Sequence, residues 1–204
     1  SKINLNNYIG IELSGKNIGI IGVGAIGKEV ARIAKGFGMN VFGYDINIDK
    51  EAKRKYNIKY TSLDNLLINS DFVSVNAPST KDNYHILSRE KLELMKPTAI
   101  LVNTARGELV DVEALYDILY AKKIRAAALD VLECENMMSE NKNYVEKLDC
   151  LNLNCLKKTL MNNKILSLDN VFVTPHIAYS TNEAIQRILK ITIENINEFI
   201  LSEI

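Results

Sequence analysis

Apolar residues fall into two alternating patterns along this chain. Short, nearly continuous apolar runs occupy 17–21, 40–44, 71–75, 98–102, 125–129 and 171–173, as expected of strands buried on both faces. Between them the apolar positions are spaced for helices. In 25–37, Ile26, Val30, Ile33 and Phe37 recur at steps of four, three and four and so share one helical face. The segment 111–121 reads the same way, as does 183–201 through Ile185, Ile188, Leu189, Ile193 and Ile196. Strands alternating with helices predict an α/β fold, a doubly wound parallel sheet with helices on its faces. No repeat and no linker rich in Gly, Pro or Ser interrupts 1–204, so a single domain is expected. The stretch 136–168 departs from the pattern. It is rich in Asn and Lys and carries no clear strand; it reads as a long connection with one or two short helices, more simply an insertion than a functional loop.

At 47% hydrophobic and 25% charged, the chain can bury a proper core. Lys and Arg number 25 and Asp and Glu 25, so the formal net charge is zero. That excludes binding nucleic acid by bulk charge, which needs a cationic excess. The longest apolar stretch, 18–27, is too short for a bilayer and is broken by glycines, so no membrane span is expected. The opening residues, SKINLNNYIG, contain neither an apolar core nor a small-residue cleavage site, which makes the cytoplasm the expected compartment. Cys134, Cys150 and Cys155 are odd in number and lack CxxC spacing. They read as reduced thiols, with neither a disulfide framework nor a metal site.

The first apolar run leads directly into GVGAIG, with Gly22, Gly24 and Gly27, and then into the amphipathic segment. Strand, glycine turn and helix in this order suit a dinucleotide. Gly22 permits the tight turn, Gly24 lets backbone approach a pyrophosphate, and Gly27 lets the helix pack on the strand. The helix amino terminus then offers free N–H groups and a positive dipole end to the anion. Asp45 ends the next strand, eighteen residues beyond Gly27, where an acid accepts hydrogen bonds from a ribose diol and repels a 2′-phosphate. NAD is therefore favoured over NADP, although an Asp here could also cap the following helix.

Further segments are VNTARGELVD at 102–111, AALDVLECE at 127–135 and TPHIAYST at 174–181. Together with GVGAIG and GFGMNVFGYD at 36–45, they resemble the D-isomer-specific 2-hydroxyacid dehydrogenases from about Leu13 to the carboxyl end. HIAY and DVLE are most similar to the D-lactate dehydrogenase branch. The resemblance implies a Rossmann cofactor domain with Arg106 as substrate-carboxylate clamp, His176 as acid/base and Glu135 as its partner. Glu133 competes with Glu135, but the family pattern places the glutamate twenty-nine residues after the arginine, which favours Glu135. Ala25 and Ile26 would lie under the pyrophosphate, Ala77 and Pro78 on the adenosine side, and Asn83 near the cofactor. Thr104 and Ala105 would lie beside the nicotinamide, with Asp130 facing its carboxamide. Asn76 departs from the family's common histidine, and no proline follows Glu135.

These residue types also make chemical sense on their own. A planar guanidinium orients a carboxylate and polarises the neighbouring carbonyl, as lysine cannot. Imidazole titrates in the range needed to give a proton to a forming alkoxide, and a carboxylate beside it stabilises the protonated ring. The other histidine, His85, reads as structural. The implied reaction is hydride transfer between a nicotinamide and a small 2-keto or 2-hydroxy acid, pyruvate and D-lactate first. A 3-phosphoglycerate dehydrogenase is the alternative within the class; an NAD-sensing module like the family's co-repressors is the alternative outside it. Complete members add a substrate domain, which 1–204 lacks, so this chain alone is expected to bind NAD and turn over little or nothing. A homodimer paired through this domain and the helix after the glycine turn is also implied.

Overall fold

A computed structural model describes residues 10–135 and 153–202. Strands β1 (Asn17–Ile21), β2 (Asn40–Tyr44), β3 (Lys59–Tyr60), β4 (Phe72–Val75), β5 (Ile100–Asn103), β6 (Ala126–Leu129) and β7 (Val171–Val173) form one sheet. Its order is β3-β2-β1-β4-β5-β6-β7, with every pairing parallel. The helices are α1 (Ala25–Gly36), α2 (Lys50–Tyr56), α3 (Leu63–Asn69), α4 (Arg89–Leu92), α5 (Val112–Tyr120), α6 (Leu153–Leu166) and α7 (Asn182–Ser202). The doubly wound α/β expectation is met. Chain direction across the sheet reverses between β1 and β4, which opens a crevice at their carboxyl ends.

The pleat sorts the core into two layers. Ile20 joins Ile18, Ala31, Ala34, Val41 and Ile58 under α1 and α2, whereas its neighbour Ile21 joins Leu66, Leu67, Val73, Leu101, Ile118 and Leu129 on the other side. Successive strand residues point to opposite faces, so both faces must be apolar and both are covered by helices. Register then fixes the site. The ladder aligns Tyr44, Ile21, Val75, Asn103, Leu129 and Val173 across the sheet. The residues that follow them, Asp45, Gly22, Asn76, Thr104, Asp130 and Thr174, therefore share one edge.

Several short elements carry no readable apolar pattern, for physical reasons. Strand β3 has two residues, too few to alternate. Helices α2 and α3 have seven each and owe their starts to caps, Asp49 accepting from Ala52 N and Ser62 accepting from Asn65 N. The largest difference is α6. Of the stretch 136–168, residues 136–152 lie outside the described residues, but 153–166 forms one fourteen-residue helix, longer than the short helices expected. Its buried positions are Lys158, Thr159, Asn162 and Ile165, a mostly polar inward face that a hydrophobic period cannot reveal.

The reduced-thiol reading is overturned for two of the three cysteines. Cys134 and Cys155 are joined as a disulfide, their Cα atoms 5.8 Å apart. They lie 21 residues apart in sequence, and only the return of α6 onto the turn after β6 brings them together. Cys150 lies outside the described residues.

Helix α5 starts just beyond the turn that carries Arg106, and its start is set by Asp111. One carboxylate oxygen accepts from the backbone N–H groups of Glu113 and Ala114, both at 3.1 Å. Asp111→Ala should lower unfolding stability by about 1 kcal/mol, the usual worth of such a cap, as read from the urea midpoint. An unchanged midpoint would show that the cap does not define this helix.

Candidate active site

The glycine turn is built by backbone packing. Gly22 sits at φ +86°, and a Cβ on it would lie 2.5 Å from the Ala77 nitrogen. A Cβ on Gly27 would lie 2.1 Å from the Gly22 oxygen, so α1 starts hard against β1. Gly24 is different: a Cβ there would meet nothing within 4 Å. Gly24 is also the N-cap of α1, with no side chain capping it and no acid in the first turn. Among the described residues the helix end is thus bare of a capping side chain, which suits a phosphate. Asp45 holds the turn from β2, its Oδ2 accepting from Val23 N at 2.7 Å and its Oδ1 from Asn47 N at 2.8 Å. Capping of α2 falls instead to Asp49. Each Asp45 oxygen keeps a further acceptor position for a ribose hydroxyl.

A cleft of about 470 Å³ opens beside this turn, lined by Gly24, Ala25, Ile26, Asn76, Ala77, Pro78, Ser79, Thr104, Ala105 and Arg106. Such a volume suits part of a dinucleotide. The lining unites residues expected at the pyrophosphate, adenosine and nicotinamide. Asn83 stands outside the lining and shapes it, donating to Pro78 O at 2.7 Å and accepting from Thr80 N at 2.8 Å.

Arg106 is exposed at the end of this cleft. Its turn is braced by Asn103, which is buried and bonds both Arg106 O at 2.9 Å and Ala105 N at 3.0 Å. The sequence reading missed this brace, although an asparagine ending a buried apolar strand was a signal for it. Gly107 follows. A Cβ there would lie 2.2 Å from both Glu133 N and Leu132 C, so the Arg106 turn rests directly on the turn after β6.

That second turn carries the acid/base candidates. Glu135 Oε1 lies 2.5 Å from His176 Nδ1, and Glu135 Oε2 accepts from Leu132 N at 3.1 Å. With Nδ1 engaged, Nε2 is the ring nitrogen left for a substrate. His176 adopts a positive φ of 53°. Its conformation is held by Asp130, whose backbone oxygen accepts from His176 N at 2.8 Å. The buried Asp130 carboxylate accepts from Thr174 Oγ1 at 2.5 Å and from Ile177 N and Ala178 N, both at 2.9 Å. Burial alone would raise the Asp130 pKa, but these hydrogen bonds outweigh it and hold the carboxyl below the usual carboxylate range.

Glu133 is occupied elsewhere. Its buried carboxylate pairs with Lys158 and accepts from Tyr84 Oη at 2.8 Å, and it lies 3.0 Å from His85 Nε2. Geometry thus separates the two glutamates and gives His85 a structural partner.

Comparison with known proteins agrees with this arrangement. The family profile of the D-isomer specific 2-hydroxyacid dehydrogenase NAD binding domain matches residues 2–178. A D-3-phosphoglycerate dehydrogenase of Methanocaldococcus jannaschii is 39% identical over 97% of this chain and 33% of that protein. An aromatic 2-oxoacid reductase of Clostridium sporogenes is 37% identical over 97% of the chain and 58% of that protein. The crystal structure of D-lactate dehydrogenase from Aquifex aeolicus complexed with NAD and lactic acid superposes with a TM-score of 0.83 at 34% identity, covering 99% of this chain and 58% of that one. The chain therefore spans between a third and just over half of these relatives' lengths. It belongs to the D-isomer specific 2-hydroxyacid dehydrogenase family, of which it is the NAD-binding domain.

Proposed function

We propose that this chain is the cofactor half of an oxidoreductase that interconverts D-2-hydroxy acids and 2-keto acids, with D-lactate and pyruvate as the preferred pair. The observation that carries this reading is the 2.5 Å contact of His176 with Glu135, on a turn packed against that of Arg106. The cleft beside Gly24, Ala25 and Ala105 would hold NADH, whose nicotinamide would supply the hydride. Arg106 orients the substrate carboxylate with its planar fork and polarises the keto oxygen. His176 donates the Nε2 proton to that oxygen as it becomes an alkoxide. Glu135 holds the ring at Nδ1 and stabilises its protonated form. The open position at Gly24, the free amino terminus of α1 and Asp45 fit the pyrophosphate and adenosine ribose. The remaining acceptor capacity of Asp130 Oδ2 fits the carboxamide. The likeness to a D-lactate dehydrogenase complexed with NAD and lactic acid supports pyruvate and D-lactate as the pair.

The relatives' greater length supports a separate substrate domain in the whole protein, whose closure excludes water and completes the site. Pairing of two copies through this domain is supported by α1. Its Ile33 and its C-cap residue Phe37 are exposed and line an open apolar groove of about 280 Å³ with Leu13, Met39, Phe72 and Val102. A cytoplasmic location belongs to the same proposal, against which stands the Cys134–Cys155 disulfide, a bond more usual in oxidising compartments. Among the described residues no helix is long and apolar enough to cross a membrane.

Two measurements test the proposal. Calorimetry on the whole enzyme should show tighter binding of NADH than NADPH, with Asp45→Ala narrowing the gap; equal affinities before substitution would contradict the assignment of Asp45. His176→Ala should lower kcat for pyruvate reduction by roughly 10²–10⁴, the usual worth of a positioned acid. Glu135→Gln should move the alkaline limb of kcat/KM for reduction to lower pH. Reduction needs the protonated ring, and a carboxylate beside an imidazole favours that form. A limb that stays in place in Glu135→Gln but shifts in Glu133→Gln would reverse the choice of glutamate.

A further inference from the structure

Helix α6 contributes nothing to the cleft lining, yet three of its residues seize the turn that carries Glu135. Cys155, Lys158 and Asn162 are spaced three and four apart and so share one helical face. Cys155 is bonded to Cys134. Lys158 pairs with the Glu133 carboxylate and bonds Tyr84 Oη at 2.6 Å. Asn162 donates to the Glu133 backbone oxygen at 2.8 Å. Glu133 is thus gripped by side chain and by backbone, Cys134 is tied covalently, and the next residue is Glu135.

Stability alone is a weak reason for such a cluster. Lys158 and Glu133 are only 8% and 4% exposed, and desolvating two charges offsets most of their attraction. What a buried pair does well is specify position. Lys158, Tyr84 and His85 converge on one carboxylate, Tyr84 stacks on His85 with ring centroids 3.9 Å apart, and Lys158 lies 5.2 Å from the Tyr84 ring centroid. Only one placement of Glu133 satisfies all three. Burial by itself would push the Glu133 carboxyl up and the Lys158 ammonium down. The hydrogen bonds outweigh it on both sides, so both groups stay charged at neutral pH.

We infer that Lys158 is a positioning residue for the His176–Glu135 pair, acting through Glu133 to fix the turn from which Glu135 reaches the ring. The inference rests on the acid/base reading above. It gives the stretch first read as an insertion a role in the reaction, although none of its described residues touches the cleft.

The test is the pH dependence of keto-acid reduction by the whole enzyme, for Lys158→Met, Lys158→Arg and Glu135→Gln. Among the described residues, the charged groups placed against His176 are Glu135 from the turn after β6 and Asp130 from the end of β6; Tyr179 meets the ring edge-on. None of these is altered in the Lys158 variants. Removing the ammonium charge by itself favours the protonated ring and would move the alkaline limb upward. Loosening Glu135 does the opposite. Lys158→Met is expected to move the limb to lower pH, as Glu135→Gln does, and to lower kcat by roughly tenfold to a hundredfold, with NADH affinity unchanged. Lys158→Arg, which keeps the charge, should recover much of that loss. Should the unpaired Glu133 prevent folding of Lys158→Met, the Glu133→Gln/Lys158→Met double variant leaves no buried charge uncompensated and should show the same shift. A limb that moves in Glu135→Gln but stays or rises in Lys158→Met or the double variant overturns the positioning role alone. A limb unmoved in Glu135→Gln overturns the acid/base reading and this inference with it.

Discussion

The site depends on one close backbone approach. At Gly107 a single added carbon would lie 2.2 Å from Glu133 N and 2.5 Å from Leu132 O. The turn after β5 and the turn after β6 can meet only because this residue has no side chain. Arg106 precedes the contact, and Glu135 lies just beyond it on the other turn. The proposed substrate clamp and the proposed acid/base pair, from different strands, thereby share one edge of the sheet. The ladder brings the strand ends level, but the ladder alone does not set how near two neighbouring turns lie.

Around that contact, buried polar groups do what apolar packing cannot, which is to fix direction. Asn103 bonds both ends of the Arg106 turn. Asp130 gathers a hydroxyl and two amides of the segment carrying His176, as well as the His176 amide on its own backbone. Each group is satisfied by several donors or acceptors, so displacing any of them leaves a buried polar atom unpaired. Positions near the chemistry are therefore stiff, which is what holding a proton at a defined atom requires.

The legible parts of this protein are those in which one residue type answers one local demand. Gly22, Gly24 and Gly27 meet a positive φ, an open approach and a tight helix contact, three different demands with one sequence signature. The apolar runs were readable for the same reason, and the expected strands fall within a residue or two of those observed. Tertiary demands were not readable. The inward face of α6 is polar because it serves a buried carboxylate, so it carries no hydrophobic period. Cys134 and Cys155 looked unrelated because a connection of unknown path separated them. Glu133 and Glu135 differ by two positions; the family spacing already favoured Glu135 as the neighbour of His176, but only the fold shows that Glu133 faces Lys158.

If the meeting of the two turns is the governing constraint, Gly107→Ala in the whole enzyme tests it most directly. Its Cβ is excluded by backbone atoms, which cannot swing aside as a flexible side-chain end would. With folding confirmed by its melting transition, kcat for keto-acid reduction should fall by about a hundredfold, the cost of a displacement on the order of 1 Å. NADH affinity should fall far less than kcat, because the glycine turn and Asp45 lie on other strands, although Thr104 and Ala105 of the displaced turn line the cleft. A folded Gly107→Ala enzyme with unaltered kcat would contradict the account.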